Sequence, residues 1–264
     1  MRAVEFLSER MNTGWVRGWV QRSVPGQMPN SQHLDWYSDF FKNLSADKEF
    51  KAWVKANVVG KLSIRPKLVD DQEELMSILD AEHVTYEGKN VTHEIVTTIN
   101  VAPTIENEKQ MMNFVNRLSA RFTHELNHAQ QVSLQLKKSK DQTATLDRSH
   151  SILKPNAPAP KTEREKYYQY LLDRLETDAW ISEIAQDLIH DLGDQALPSL
   201  PNILKQAQRE PYVVIKSKIV QVPALNALIA AINHYRGYLK YSKEQLYNKL
   251  QKELYGYLSR HSNK

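Results

Sequence analysis

His124-Glu125-Leu126-Asn127-His128 is the stretch of this chain whose residue types and spacing could carry out hydrolysis. Two histidines four residues apart lie on one face of an α-helix, so both imidazoles can turn toward a single divalent cation. Zinc suits such donors. It lowers the pKa of a bound water to about 7, and the carboxylate of Glu125 could draw off that proton as the water attacks a polarised carbonyl. Thr123, Asn127 and Gln131 flank the histidines with polar groups, as a cleft requires. The competing reading, which the motif alone leaves open, is a pair of surface histidines on a solvated helix face.

The motif needs a helix to carry it. Met111, Val115, Leu118, Phe122, Ala129, Val132 and Leu136 recur mostly at intervals of three and four, with Leu126 at the edge of the stripe. That pattern predicts a helix over 106–137. A third ligand is offered by 163–192, where Leu171, Leu172, Leu175 and Ala179 form one apolar set and Ile181, Ile184, Ala185, Leu188 and Leu192 a second. The second set is rotated around the helix from the first, so the segment meets different neighbours along its length. A polar stripe of Glu176, Glu183, Asp187 and His190, with Trp180 interleaved, runs between them. Glu176 opens an E-x-x-A pattern whose small Ala179 would let this helix come close enough for the carboxylate to reach a zinc ion, at about 2.0–2.2 Å. Asp173, Asp178 and Glu183 are the next candidates, and a solvated Glu176 is the alternative.

These residues resemble the zincin metallopeptidases of the glutamate-ligand kind, the gluzincins, over roughly 80–195. The resemblance implies that His124, His128 and Glu176 hold zinc and that Glu125 is the general base. It also implies an α+β, mainly helical zincin-like domain with a small twisted sheet whose edge strand pairs with an extended peptide. The E-x-x-x-D form of the pattern would place an aspartate at 180, where this chain has Trp180, and Asp178 is then a candidate to orient a ligand histidine. More narrowly, HELNHAQQ, the lead-in YYQYLLDRLETDAW and the ending LYNKLQKELYGYL are similar to small metallopeptidase-like proteins of tailed bacteriophages, as is the opening MRAVEFL. That second resemblance implies a viral setting, in host cytoplasm or virion, and a virion or host protein partner.

The rest of the chain is arranged around that core. Residues 60–69 alternate as a strand, 70–81 read as a helix with an acidic first turn, and 83–86 and 91–101 read as strands joined by a hairpin at 87–90. The strand Val91 to Val101 is the candidate substrate-pairing edge, or equally an interior strand. Four of the five tryptophans fall in 1–58, which with an amphipathic stretch over His33 to Val58 reads as a helical extension packed on the core. Residues 138–162 are polar and proline-rich, a long loop that could serve as a lid or simply be disordered. The tail from Leu197 begins LPSLPNILKQ and leads to helices over 222–238 and 242–260. The expected organisation is one domain over 1–264: an N-terminal helical part to 58, a metal-binding core over 59–195 and a C-terminal helical part over 196–264.

Composition narrows the partners. The chain has 264 residues, 41% of them hydrophobic, enough for a substantial core. It has no cysteine, so disulfides and thiolate zinc sites are excluded and any zinc must rest on histidine and carboxylate. Residues 1–23 mix charges among apolar positions, which does not read as a signal peptide, and no apolar run approaches the about 20 residues of a membrane span. The expected setting is cytoplasmic, with a peptide or protein substrate and no membrane partner. A net charge of +4 with lysines, arginines and tyrosines interleaved in the tail raises nucleic-acid binding as an alternative. The near balance of 35 basic and 31 acidic residues favours a solvated surface instead. His150, His190, Tyr167, Tyr168 and Tyr170 are candidates to stabilise a transition state.

Overall fold

The structure, a computed structural model, describes residues 13–26, 34–74, 77–86, 91–103, 105–138 and 151–262. The fold is α+β and mainly helical. The chain divides into two compact units, Met1–Ala56 with Lys61–Asn127, and Asn57–Gly60 with His128–Lys264.

The first unit opens with α1 (Thr13–Arg22), α2 (Leu34–Ala46) and α3 (Lys48–Asn57). These supply much of the unit's core. Trp19 is fully buried, donates its indole N–H to the Leu44 carbonyl at 3.0 Å, and stacks on Phe50 and Phe122 with ring centroids 4.5 and 5.3 Å away. Trp36, Phe40 and Phe114 pack edge to face and face to face beside it. Large aromatic rings placed every three or four residues thus turn the expected extension into part of the core itself.

Three strands follow, β1 (Lys61–Val69), β2 (Ile78–Tyr86) and β3 (Thr92–Asn100), in the order β1-β3-β2, with β3 parallel to β1 and antiparallel to β2. The strand over 91–101 is therefore the interior strand, and β2 is the antiparallel edge. Along β3 the residues His93, Ile95, Thr97 and Ile99 are fully buried while their alternates are half-buried, the period of two that one packed face demands. Ile95 and Ile99 join Ile64 and Ile78 in one cluster with Leu118, Phe122 and Leu126.

The helix expected over 70–81 is replaced by a turn and the first part of β2. Asp71 Oδ1 accepts from the Glu73 N–H at 3.0 Å and Asp70 Oδ1 from the Gln72 amide at 2.6 Å, so the acidic residues close a turn instead of starting a helix. Asn100 then locks that turn from the end of β3. Its Nδ2 donates to the carbonyls of Asp71 and Glu74 at 2.9 and 2.8 Å, and its Oδ1 accepts from the N–H groups of Asp71 and Ala102 at 3.0 and 3.1 Å. A side-chain amide has four such places, and all are filled at a fully buried position. The hairpin residues 87–90 lie outside the described residues.

The long helix α4 (Glu108–Lys138) matches the expectation to within two residues. Asn107 caps it by accepting from the Gln110 N–H at 3.0 Å, and Gln110 reaches back to the Glu106 N–H at 2.7 Å. Residues 122–127 are all buried, on the polar side as well as the apolar one. The hydroxyls of Ser119, Thr123 and Ser133 donate to carbonyls one turn back, at 2.6, 2.8 and 2.7 Å, which is how polar side chains tolerate that burial.

The second unit is built from α5 (Glu163–Leu171), α6 (Arg174–Leu192), α7 (Ala196–Ala207), α8 (Pro223–His234) and α9 (Lys243–Ser262), with a hairpin of β4 (Tyr212–Ile215) and β5 (Lys218–Gln221). A capping box of Thr162 and Glu165 starts α5, and the backbone N–H groups of Lys161 and Thr162 hold the Glu165 carboxyl below its ordinary pKa. The segment expected as one helix over 163–192 breaks at Leu172 and Asp173. There the Leu172 carbonyl accepts from the Ile152 N–H at 2.9 Å, and Asp173 forms a bridge with Ser151. The passing segment takes a carbonyl that a continuous helix would need. Residues 151–154, expected in a mobile loop, are thus fixed, and they also pair with Tyr238 and Lys240; 139–150 lie outside the described residues. Among the described residues no helix is long and apolar enough to cross a membrane.

Asn100 gives a test of the turn. Each buried backbone group left unsatisfied costs about 1–3 kcal/mol. Asn100→Asp, which points carboxylate oxygen at two carbonyls, should therefore lower unfolding free energy by more than about 2 kcal/mol in urea denaturation. An unfolding midpoint equal to that of the unmodified protein would contradict the role given to this residue.

Candidate metal centre

α4 delivers the two histidines. Their spacing of one helical turn puts both rings on the same side, with His124 buried and His128 half-buried. Glu176 comes from the first turn of α6, immediately after the break that ends α5. Thr177 fixes that turn: its hydroxyl lies 2.7 and 2.8 Å from the carbonyls of Leu171 and Asp173, and its N–H donates to Asp173 at 2.8 Å. Ala179, the small residue of the E-x-x-A pattern, is fully buried.

One ring nitrogen from each of His124 and His128 and one carboxylate oxygen of Glu176 lie within 4.8 Å of one another. His128 Nε2 and Glu176 Oε2 are 3.4 Å apart. Donors about 2.0–2.2 Å from a tetrahedral ion stand roughly 3.4 Å from each other, so this separation fits ligands around a zinc-sized ion. Neutral imidazole nitrogen and carboxylate oxygen are also the donor types that zinc accepts when thiolate is absent. His128 Nδ1, the ring's other nitrogen, lies 3.2 Å from Gln131 Oε1. Glu125, next to His124 in sequence, is buried at 5% exposure.

No family model, curated protein or solved structure matches this chain. The site must therefore be read from its own chemistry.

Several expected participants are placed elsewhere. Asp178 does not orient a histidine; it pairs with Lys249 of α9 at 2.9 Å. Glu183 is buried on α6, about 10 Å along the axis from Glu176 at about 1.5 Å per residue. His190 is exposed and about 21 Å along the same axis, too far to donate to a group bound at the histidines. Tyr168 is buried against Arg164, whose Nε donates to its hydroxyl at 2.7 Å, and packs on His234, while Tyr167 and Tyr170 are exposed on α5 and stack on each other. His150 lies outside the described residues.

Two features escaped the reading of the sequence. Gln131 was visible only as a polar neighbour, although a glutamine three residues after a histidine on a helix is within reach of its ring. The other is a pair on the sheet, where His83 Nε2 and His93 Nδ1 meet at 2.9 Å and the rings stack. One of the two nitrogens must carry the proton and the other accept it. The signal for His93 was its place in the inward alternation with Ile95, Thr97 and Ile99.

The assignment of Asp178 to Lys249 has a direct consequence. Asp178→Asn should match the unmodified protein in a chelator-competition titration with zinc. It should alter stability by no more than about 1 kcal/mol, since a half-exposed ion pair contributes little. A tenfold loss of affinity would return Asp178 to the metal site.

Proposed function

We propose that this protein is a zinc-dependent peptidase of the gluzincin type, with His124, His128 and Glu176 as metal ligands and Glu125 as general base. The observation that carries the reading is the convergence of three donor atoms, two from one turn of α4 and one from α6, within 4.8 Å. The sequence resemblance supports the same assignment, and with it a peptide or protein substrate and a phage setting.

When bound, zinc would supply a Lewis acid and an acidified water. The chain supplies the rest. His124 and His128 serve as neutral imidazoles, each giving a lone pair, and Glu176 gives an anionic oxygen that offsets part of the ion's charge. Glu125, next in sequence to His124 but turned about 100° around the helix axis, is free of the ligand set and can accept a proton. Its burial keeps that proton close to the site, where it can be returned to the leaving amine. Hydrolysis of an amide needs both transfers, and one carboxylate can perform them in turn.

The basic tail, the feature behind the nucleic-acid alternative, has charges engaged within its own unit. Lys249 pairs with Asp178, Lys240 donates to the Ser151 carbonyl at 2.7 Å, and Lys243 sits over the Tyr247 ring.

Protein purified without added metal should carry close to one zinc per chain by elemental analysis, and alanine at His124, His128 or Glu176 should remove it while the helical circular dichroism persists. Glu125→Gln should keep the zinc and lose peptide cleavage by at least about 10²–10⁴-fold. Retention of zinc by the Glu176→Ala protein would refute the ligand set. Undiminished cleavage by the Glu125→Gln protein would refute the base. A zinc-loaded protein that leaves a broad peptide library intact would instead fit a non-catalytic scaffold.

A further inference from the structure

We propose that Gln131 is a positioning residue that holds His128 in its Nδ1–H tautomer and so keeps Nε2 bare for the metal. This rests on the reading of His124, His128 and Glu176 as ligands.

A neutral imidazole has one N–H and one lone pair, and which nitrogen holds the proton is set by what the other atoms offer. Here the two nitrogens of His128 meet different groups. Nδ1 faces the Gln131 carbonyl oxygen at 3.2 Å, which can only accept. Nε2 faces Glu176 Oε2 at 3.4 Å. The carboxylate also only accepts, so it competes for the same proton. If Glu176 won, His128 would carry Nε2–H, the two ligands would bond to each other, and the lone pair needed for zinc would point away from it.

The distances favour Gln131. A hydrogen bond from imidazole N–H to a carboxylate would be expected near 2.7–2.9 Å, about half an ångström shorter than the observed gap to Glu176. The gap instead suits two donors awaiting a common ion. Helical geometry explains why the glutamine can do this: side chains lean toward the N-terminus, so the residue at i+3 reaches back over the ring at i. The His128 side chain is only 13% exposed, so water competes weakly for Nδ1. Gln131 thus prevents the metal-free ligands from satisfying each other, and it does so without adding charge.

The experiment compares wild type, Gln131→Leu and Gln131→Glu, with His128→Ala to assign the ring signals. Long-range proton–nitrogen correlation spectra of the metal-free proteins read the tautomer directly. We expect protonated Nδ1 at His128 in wild type, a shift toward protonated Nε2 in Gln131→Leu, and return of the Nδ1–H form in Gln131→Glu. Chelator competition should show zinc affinity falling about 10–100-fold in Gln131→Leu, the range for loss of a group that orients a ligand histidine, and recovering in Gln131→Glu. Protonated Nε2 in wild-type His128, or a tautomer that Gln131→Leu leaves unchanged, would overturn the proposal. Absence of zinc binding in wild type, with the tautomer still dependent on Gln131, would overturn the metal reading and leave the positioning role standing.

Discussion

Two imidazoles and a carboxylate gathered at one place will hydrogen-bond to one another unless the protein holds them at ligand distance and decides where each proton sits. That constraint organises what surrounds His124, His128 and Glu176. The histidines are spaced by a helix, which cannot stretch or shorten to let them drift together. The carboxylate enters from the first turn of a second helix, and that turn is fixed by Thr177, whose hydroxyl meets the carbonyls at the preceding break. The break coincides with the segment 151–154, whose Ile152 N–H takes the Leu172 carbonyl out of helical bonding. A segment remote from the donors in sequence thus marks where the third donor's helix begins.

The long helix α4 and its pair of histidines were legible in the sequence because helical periodicity and an i, i+4 motif are local signals. So were β1, whose apolar Leu62, Ile64 and Leu68 fall at even spacing, and β3, which is rich in β-branched residues. The failures share a cause. The run 70–81 has acidic residues and leucines that suit a helix, and only the amide of Asn100, at the far end of another strand, shows that its backbone is claimed by a turn. The continuous pattern through 163–192 hides a break at Leu172 and Asp173, where residues 151–153 pair with the backbone. The hairpin of β4 and β5 has no glycine or asparagine at its turn. Lys216 and Ser217 adopt φ of 48° and 68°, conformations that such residues seldom take, and buried Val213, Ile215 and Val220 hold them there. In each case a tertiary contact outweighed a local preference.

Asp178, two residues on from Glu176, was a candidate to orient a histidine, and the structure gives it another partner. Two residues along a helix turn the side chain by about 200°, so a residue adjacent to a ligand in sequence usually faces a different partner. For Asp178 that partner is Lys249, a basic residue of the tail that no local pattern connects to the site.

The hydroxyls on α4 bear on how this protein could change over generations. Ser119 is fully buried, yet its hydroxyl donates to the Val115 carbonyl of its own helix. Exchange of Ser119 with alanine removes a bond that the helix does not need and leaves its shape nearly intact, whereas Ser133 also receives the Val59 N–H. Asn100 is the opposite, since no other side chain offers two donors and two acceptors in that arrangement. Drift in related sequences should therefore change position 119 long before it touches position 100.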